Sequence, residues 1–278
     1  MMTTIPPTSE IPDSSGHDLD YRFGGIRRLY GQAAYDRFQN AHVCIVGIGG
    51  VGSWAAEALA RSAIGHLTLI DLDDICVSNI NRQIHALDGH IGQLKVEAMA
   101  ERIRRINPHC QVNARVSFLT EKNLAELIND EFDYVLDAID SVKMKTRLIA
   151  HCKRQKIPIV CAGGAGGQTD PTQIQMADLG RTYQDPLLAK VRSQLRKNYG
   201  FSSNPKRKLG IDCVFSTEQL TYPKADGEVC QQKPENNGPV RLDCASGFGA
   251  VTHITATFGF FAVSRVLQKI AARGVKTT

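Results

Sequence analysis

No CxxC pair occurs anywhere in this 278-residue sequence. Its eight cysteines, at positions 44, 76, 110, 152, 161, 213, 230 and 244, are scattered singly along the chain. Structural zinc takes thiolates at short, paired spacing, so the pattern argues against a zinc site. Apolar surroundings such as "HVCIVG" read as ordinary buried thiols in a reducing, cytoplasmic setting. The N-terminal "MMTTIPPTSEIPDSSGHDLD" lacks an apolar core, which excludes a signal peptide or a transmembrane anchor there. Residues 1–20 read as a flexible arm. Internal repeats are absent. Neither sign of charge dominates, with 33 Lys and Arg against 28 Asp and Glu and a net charge of +5. That mild excess permits an acidic or nucleic-acid partner without requiring one. Only residues 244–264, "CASGFGAVTHITATFGFFAVS", are long and charge-poor enough to raise a membrane span. Several Gly, Thr and Ser residues dilute that run, and a helix buried against a sheet is the preferred reading.

What is present alternates between strand and helix. "HVCIVG" (42–47), "HLTLID" (66–71), "QVNARVSF" (111–118), "DYVLDAI" (133–139) and "IPIVCAG" (157–163) read as strands. "QLKVEAMAERIRRI" has apolar residues at 96, 99, 100, 103 and 106, a helical spacing. "DSVKMKTRLIAHCKRQ" opens on Asp140 and Ser141, both good helix caps. The pattern predicts an α/β fold, a Rossmann-like, mostly parallel sheet with helices on both faces. Residues 21–165 form the expected core, and 166–278 an extension on the same domain. That extension carries a further strand, a basic segment, a cysteine-bearing segment and an apolar C-terminal helix.

Gly47, Gly49 and Gly52, with Gly50 between them, have G-x-G-x-x-G spacing between a strand and a helix. Glycine allows the tight turn and close phosphate approach, and the helix N-terminus offers N–H groups to an anion. Asp71 closes the next strand 24 residues after Gly47, suited to a ribose. A redox dinucleotide needs little more. Here Asp73 adds a second acid, "SNINRQ" (78–83) brings Asn79 and Arg82, and Lys95 opens the next helix. A triphosphate carries more charge than a pyrophosphate bridge, so extra cations and Mg²⁺ favour ATP. Asp140, after "DYVLDAI", is placed to hold the metal. Singly, Arg82 and Lys95 read as surface charges and Asp140 as a cap. Their order along one sheet is what argues for a site.

"GIGGVG", "DLDDICVSNINRQ", Lys95 and "DAIDS" resemble the adenylating domain of the ubiquitin-activating and the molybdopterin- or thiamine-synthesis activating enzymes, over roughly residues 20–165. The resemblance implies ATP-dependent adenylation of a carboxylate with release of pyrophosphate. It implies Asp71 on ribose, Asn79, Arg82 and Lys95 on phosphates, and Asp140 on Mg²⁺. It also implies a homodimer in which an N-terminal arginine, Arg22, Arg27 or Arg28, reaches the other protomer's site. Two departures stand out. Sulfur-carrier activators commonly have two CxxC pairs, absent here, and two arginines three residues apart, where "RFGGIRRLYG" has Arg22 followed by Gly25.

These departures, with "GGAGGQTDPTQIQ", "GIDCVFSTE" and "LDCASGFGA", resemble the branch that dehydrates threonylcarbamoyladenosine in tRNA. This similarity covers nearly all of the chain beyond the arm. It implies activation of the threonyl carboxylate, then attack by an atom of the same side chain to close a five-membered ring. Partners would be the modified tRNA and, by the branch's association, a cysteine desulfurase or other sulfur-transfer protein. The ring-closing atom and any monovalent cation stay open.

Residues 186–210 carry Lys190, Arg192, Arg196, Lys197, Lys206, Arg207 and Lys208 with no acid, and Tyr199 and Phe201 lie among them. Such a run suits phosphates and unpaired bases. Cys213, Cys230 and Cys244 are the late thiols. Cys244, near Arg241 and "ASGFGA", is the best nucleophile or sulfur acceptor if any is reactive. The alternatives are an activator of a sulfur-carrier or ubiquitin-like protein, and a nicotinamide-linked oxidoreductase.

Overall fold

In the computed structural model, residues 17–224, 226–232 and 248–273 are described. Strand β1 (His42–Val46) is buried along its whole length. Its side chains alternate between two cores: Val43 and Ile45 enter one, Cys44 and Val46 the other. That is the pattern of a central strand covered on both faces. Two helices precede it, α1 (His17–Tyr30) and α2 (Gln32–Asn40). After it come α3 (Gly52–Arg61), β2 (His66–Asp71), α4 (Lys95–Ile106), β3 (Gln111–Val116) and the single-turn α5 (Leu124–Leu127). Next are β4 (Tyr134–Asp137), α6 (Val142–Gln155) and β5 (Ile159–Ala162). The chain continues with β6 (Ile174–Asp178), α7 (Pro186–Tyr199), β7 (Asp212–Ser216), the short pair β8 (Tyr222–Pro223) and β9 (Val229–Cys230), and α8 (Thr252–Ala271).

Among the described residues one seven-stranded sheet has the order β3-β2-β1-β4-β5-β7-β6, parallel except for the edge strand β6. Helices α2, α3, α4 and α8 cover one face, while α6 and α7 pack together on the other. Strand order reverses between β1 and β4. A doubly wound sheet opens a crevice at that point, beyond the carboxyl ends of the strands.

The strands read at 42–47, 111–118, 133–139 and 157–163 are shorter, the first two losing residues at their carboxyl ends and the other two at both ends. Helix α1 starts at His17, inside the stretch read as an arm. Phe23 anchors it against Tyr35 and Ala63. The larger difference lies beyond residue 165. β7 inserts beside β5 in parallel register and β6 closes the edge, so the sheet runs through both regions. The first half of the basic run is helix α7, capped by Asp185 with Pro186 at its first turn.

No helix among the described residues is long and apolar enough to cross a membrane. Most of 244–264 belongs to α8, whose Ile254, Phe258, Ala262, Val266 and Ile270 are buried in the core. Residues 244–247 lie outside the described residues. A Cβ at Gly259 would lie 2.8 Å from the Val51 carbonyl oxygen, so glycine is what lets α8 touch the start of α3.

Candidate active site

The glycine turn after β1 requires its glycines. Gly47 has φ +90, and a Cβ there would stand 3.0 Å from the Ala138 carbonyl oxygen beyond β4. A Cβ on Gly52 would be 1.8 Å from the Gly47 oxygen. Gly49, by contrast, faces open space, leaving the first turn of α3 approachable by an anion. Asp71, at the end of β2, accepts the Ile48 N–H at 2.6 Å and the Asp73 N–H at 2.9 Å. One carboxylate thus ties the glycine turn to the β2 loop. Each oxygen keeps a second lone pair for a ribose hydroxyl.

Lys95 is buried, and its Nζ lies 2.8 Å from Asp73 Oδ2. The Lys95 N–H also bonds the Asp73 carbonyl at 3.0 Å. Asp73 therefore aims this ammonium. Asn79 is buried, and its Oδ1 accepts the Cys76 N–H at 3.1 Å, closing the turn Val77–Asn79 from which Arg82 follows. Arg82 Nη1 donates to the Ser78 carbonyl at 2.7 Å, and the Arg82 carbonyl receives Trp54 Nε1–H at 3.0 Å. A Cβ on Gly50 would lie 3.3 Å from Arg82 Cγ and 3.1 Å from Thr255 Cγ2. The arginine stem thus packs over the glycine turn. Asp140 is exposed just beyond β4, and Ser141 caps α6 by accepting the Met144 N–H. Gly47 to Gly52, Asp71, Arg82, Lys95 and Asp140 all stand at the carboxyl edge of the sheet around the β1–β4 crevice. Arg22 and Arg28 are exposed on α1, and Arg27 pairs with Asp20 at 3.0 Å.

The sequence profile of the ThiF family matches residues 25–277. This chain belongs to the ThiF family. A tRNA threonylcarbamoyladenosine dehydratase of Escherichia coli (strain K12) is 59% identical over 255 residues, covering 92% of this chain and 95% of that protein. One of Bacillus subtilis (strain 168) is 42% identical over 198 residues, covering 71% of this chain and 75% of that protein. The solved structure of the E. coli dehydratase in complex with ATP has a TM-score of 0.82 at 54% identity, covering 92% of this chain and 96% of that one. The resemblance carried by the adenylating motifs is therefore membership of the ThiF family, close to its tRNA-dehydratase branch.

Within this ThiF chain the basic residues divide. Arg192 is occupied structurally: its Nη1 donates to the carbonyls of Leu179 and Thr182 and to Thr182 Oγ1, at 3.0, 3.1 and 2.8 Å. Arg196 Nε donates to the Ser202 carbonyl at 3.2 Å. Arg196 and Lys197, with Ser193 and Ser203, line a cleft of about 480 Å³ along α7. Lys206, Arg207 and Lys208 sit in the loop before β7, beside Gly180 and Asp178, at the opposite edge of the sheet from the glycine turn. Tyr199 is exposed, while Phe201 packs against the core, so only the tyrosine stands ready for a base.

Cys213 is fully buried on β7, in a packing position. Cys230 is half-buried, with its Sγ 3.2 Å from the Gln232 carbonyl. Cys244 and Arg241 lie outside the described residues.

Sequence reasoning missed Asp137, Lys145 and Asp185. Lys145 Nζ lies 2.8 Å from Asp137 Oδ2, with both side chains fully buried. Burial is the largest single effect and opposes the lysine's charge, but Asp137 together with the nearby Cys161 and Cys213 turns the balance, and the Lys145 pKa is raised. Asp185 Oδ1 accepts the Leu188 N–H at 2.8 Å, and its Oδ2 the Gly164 N–H at 2.9 Å. Burial pushes the Asp185 carboxyl up, against those N–H groups and the nearby Lys145. These acids and this lysine fix the ends of β4 and β5, from which Asp140 and the loop 163–168 project. The only sequence signal was the first aspartate of "DAIDS".

Proposed function

We propose that this protein is an ATP-dependent tRNA threonylcarbamoyladenosine dehydratase. The reading rests on one observation: the glycine turn, Asp71, Arg82, Lys95 and Asp140 share one sheet edge in a chain 59% identical to a dehydratase of that name over 92% of its length. The threonyl carboxylate attacks the α-phosphate of ATP, forming an acyl-adenylate and releasing pyrophosphate. An atom of the same carbamoyl side chain then attacks the acyl carbon. The acyl–AMP bond breaks, AMP departs, the attacking atom gives up a proton, and the net change is loss of water.

The chain's residues supply position and charge. Asp71 receives the ribose hydroxyls, and the N–H groups at the start of α3 face the phosphates. Arg82 and the Asp73-held Lys95 offset the charge that develops on the departing pyrophosphate. Asp140 is one exposed carboxylate, which suits Mg²⁺ carried on ATP, since that ion keeps water and phosphate ligands. No group of three metal-ligating side chains occurs among the described residues, so the remaining ligands would be ATP oxygens and water. Ring closure within one side chain gains from high effective molarity, and no protein nucleophile is required.

The exposed face of α1, with Tyr21 and Leu29 94% and 75% accessible, supports a homodimer in which a second copy covers it and Arg22 reaches the neighbouring phosphates. Arg196 and Lys197, continued by Lys206 to Lys208, support a phosphate track for tRNA.

The test is nucleoside mass spectrometry of tRNA incubated with the protein and ATP. Threonylcarbamoyladenosine should lose one water only when ATP is present. Pyrophosphate release that needs a small carrier protein instead of tRNA would favour the sulfur-carrier activator.

A further inference from the structure

A second cleft adjoins the basic one and has different chemistry. It holds about 390 Å³ at the head of α7, within the range of small-ligand sites. Its walls include Tyr183, Gln184, Gln219, Tyr222 and Gln231. The two clefts share Ala189 and Arg192 as lining residues, so they lie side by side. Arg196 and Lys197 belong to the lower one and the aromatic rings and glutamine amides to the upper one, while the shared Arg192 is engaged with Leu179 and Thr182.

The upper cleft is built rather than incidental. Tyr183 is 54% exposed, yet its ring stands 5.5 Å from that of Phe215 at 68° and is braced by it. The Tyr222 ring lies 5.0 Å from that of Phe248. Gln184 has φ +57, a left-handed conformation that non-glycine residues seldom adopt. The next residue, Asp185, is held in place by the Leu188 and Gly164 N–H groups that donate to its carboxylate. Gln219 Nε2 donates to the Gln231 main-chain carbonyl at 3.2 Å, which fixes the orientation of the Gln219 amide.

Position matters as much as composition. β7 is parallel to β5, so the loop carrying Gln219 and Tyr222 leaves the sheet at the same edge as the glycine turn. Three strand spacings separate β7 from β1, about 14 Å. That is close enough for a nucleotide next to the reacting one and too far for the reacting carboxylate itself. An inorganic anion would choose the cations below, and a metal ion would find only the committed Asp185. Exposed aromatic faces beside amide donors and acceptors match an unpaired nucleobase.

We propose that the cleft between Tyr183 and Tyr222 takes one unpaired base flanking the modified adenosine, stacked on Tyr183 with its edge read by the glutamine amides. The attached backbone then runs down α7 across Arg196 and Lys197. This inference rests on the dehydratase reading and adds a base subsite to it.

Kinetics with tRNA bearing threonylcarbamoyladenosine test it, using the parent protein, Tyr183→Ala and Tyr183→Phe. Loss of a stacked base should raise KM for tRNA about tenfold in Tyr183→Ala, while kcat and the ATP affinity stay within about twofold. Tyr183→Phe keeps the ring and should restore the parent KM. 2-Aminopurine placed on either side of the modified adenosine should change its fluorescence on binding the parent, at one position, and not on binding Tyr183→Ala. An unchanged KM in Tyr183→Ala, or a signal from neither position, would overturn the subsite while dehydration by the parent stands. A parent that leaves the nucleoside unaltered would overturn the dehydratase reading and the subsite with it.

Discussion

Lys145 and Asp137 form an ion pair 2.8 Å apart with neither side chain exposed to solvent. It sits directly beneath the β4 end that carries Ala138, against which Gly47 packs, and Asp140. Removing one member of such a pair strands a buried charge, at a cost of about 3–5 kcal/mol. Lys145→Met should therefore unfold in much less denaturant than the parent. Lys145→Met combined with Asp137→Asn should recover part of the loss, because no charge is then stranded. Equal midpoints for the single and double variants in urea would show that the pair is not coupled.

Acid should weaken the fold through two histidines. Burial lowers the His42 pKa from 6.5 to about 4, assisted by stacked His66. His85, also buried, is lowered to about 4 by burial and then by Lys95. A depressed folded pKa means that the unfolded chain binds the proton first. Their contribution is thus present above pH 6.5 and is lost as pH falls towards about 4. Denaturation midpoints measured across that window should drop in the parent and flatten in a His42→Gln/His85→Gln variant. The variant sharing the parent's slope would place the acid sensitivity elsewhere.

Thiol reactivity should split sharply. Cys76 is exposed and Cys230 half-buried, whereas Cys44, Cys110, Cys152, Cys161 and Cys213 are buried. Burial pushes the Cys110 and Cys152 thiols up to about 12, and those of Cys44 and Cys161 upward as well. A thiol reagent followed by peptide mass mapping should label Cys76 and Cys230 in the native protein. The five buried cysteines should react only after unfolding. Rapid native labelling of Cys213 would contradict its placement in the β7 core.

Much of the architecture was legible because periodicity was strong. β2 runs from His66 to Asp71 as read, and Ser141 caps α6. The residues gathered around the β1–β4 crevice could be listed from the sequence as a series because each follows a strand end or turn with its own chemical reason. The region after residue 165 was not. Charge density hid helix α7, whose apolar face is only Leu187, Leu188, Val191 and Leu195. Five-residue β7 has too short an alternation to show which neighbour it joins. Lys145 and Arg192 were illegible for a deeper reason: local sequence presents both as surface cations, and only tertiary partners turn them inward.

The basic loop offers a separate check. Arg207→Ala with Lys208→Ala should weaken tRNA binding and reduce the slope of log affinity against log salt by up to about two units. ATP affinity should be unchanged, since both residues lie at the sheet edge opposite the glycine turn. An unaltered slope would make the loop a solvated surface.

The most direct measurement is a single turnover on tRNA carrying threonylcarbamoyladenosine, following pyrophosphate, AMP and the nucleoside mass together. The parent should release one pyrophosphate and one AMP for each nucleoside that loses water. Arg82→Ala should slow pyrophosphate release roughly 100-fold, as expected when a preorganised cation is removed from developing charge. Cys244→Ala should slow ring closure less than about tenfold if the side chain attacks its own adenylate directly. Pyrophosphate released by Cys244→Ala without ring closure would contradict direct attack. A parent that leaves the nucleoside mass unchanged in the presence of ATP would contradict the dehydration itself.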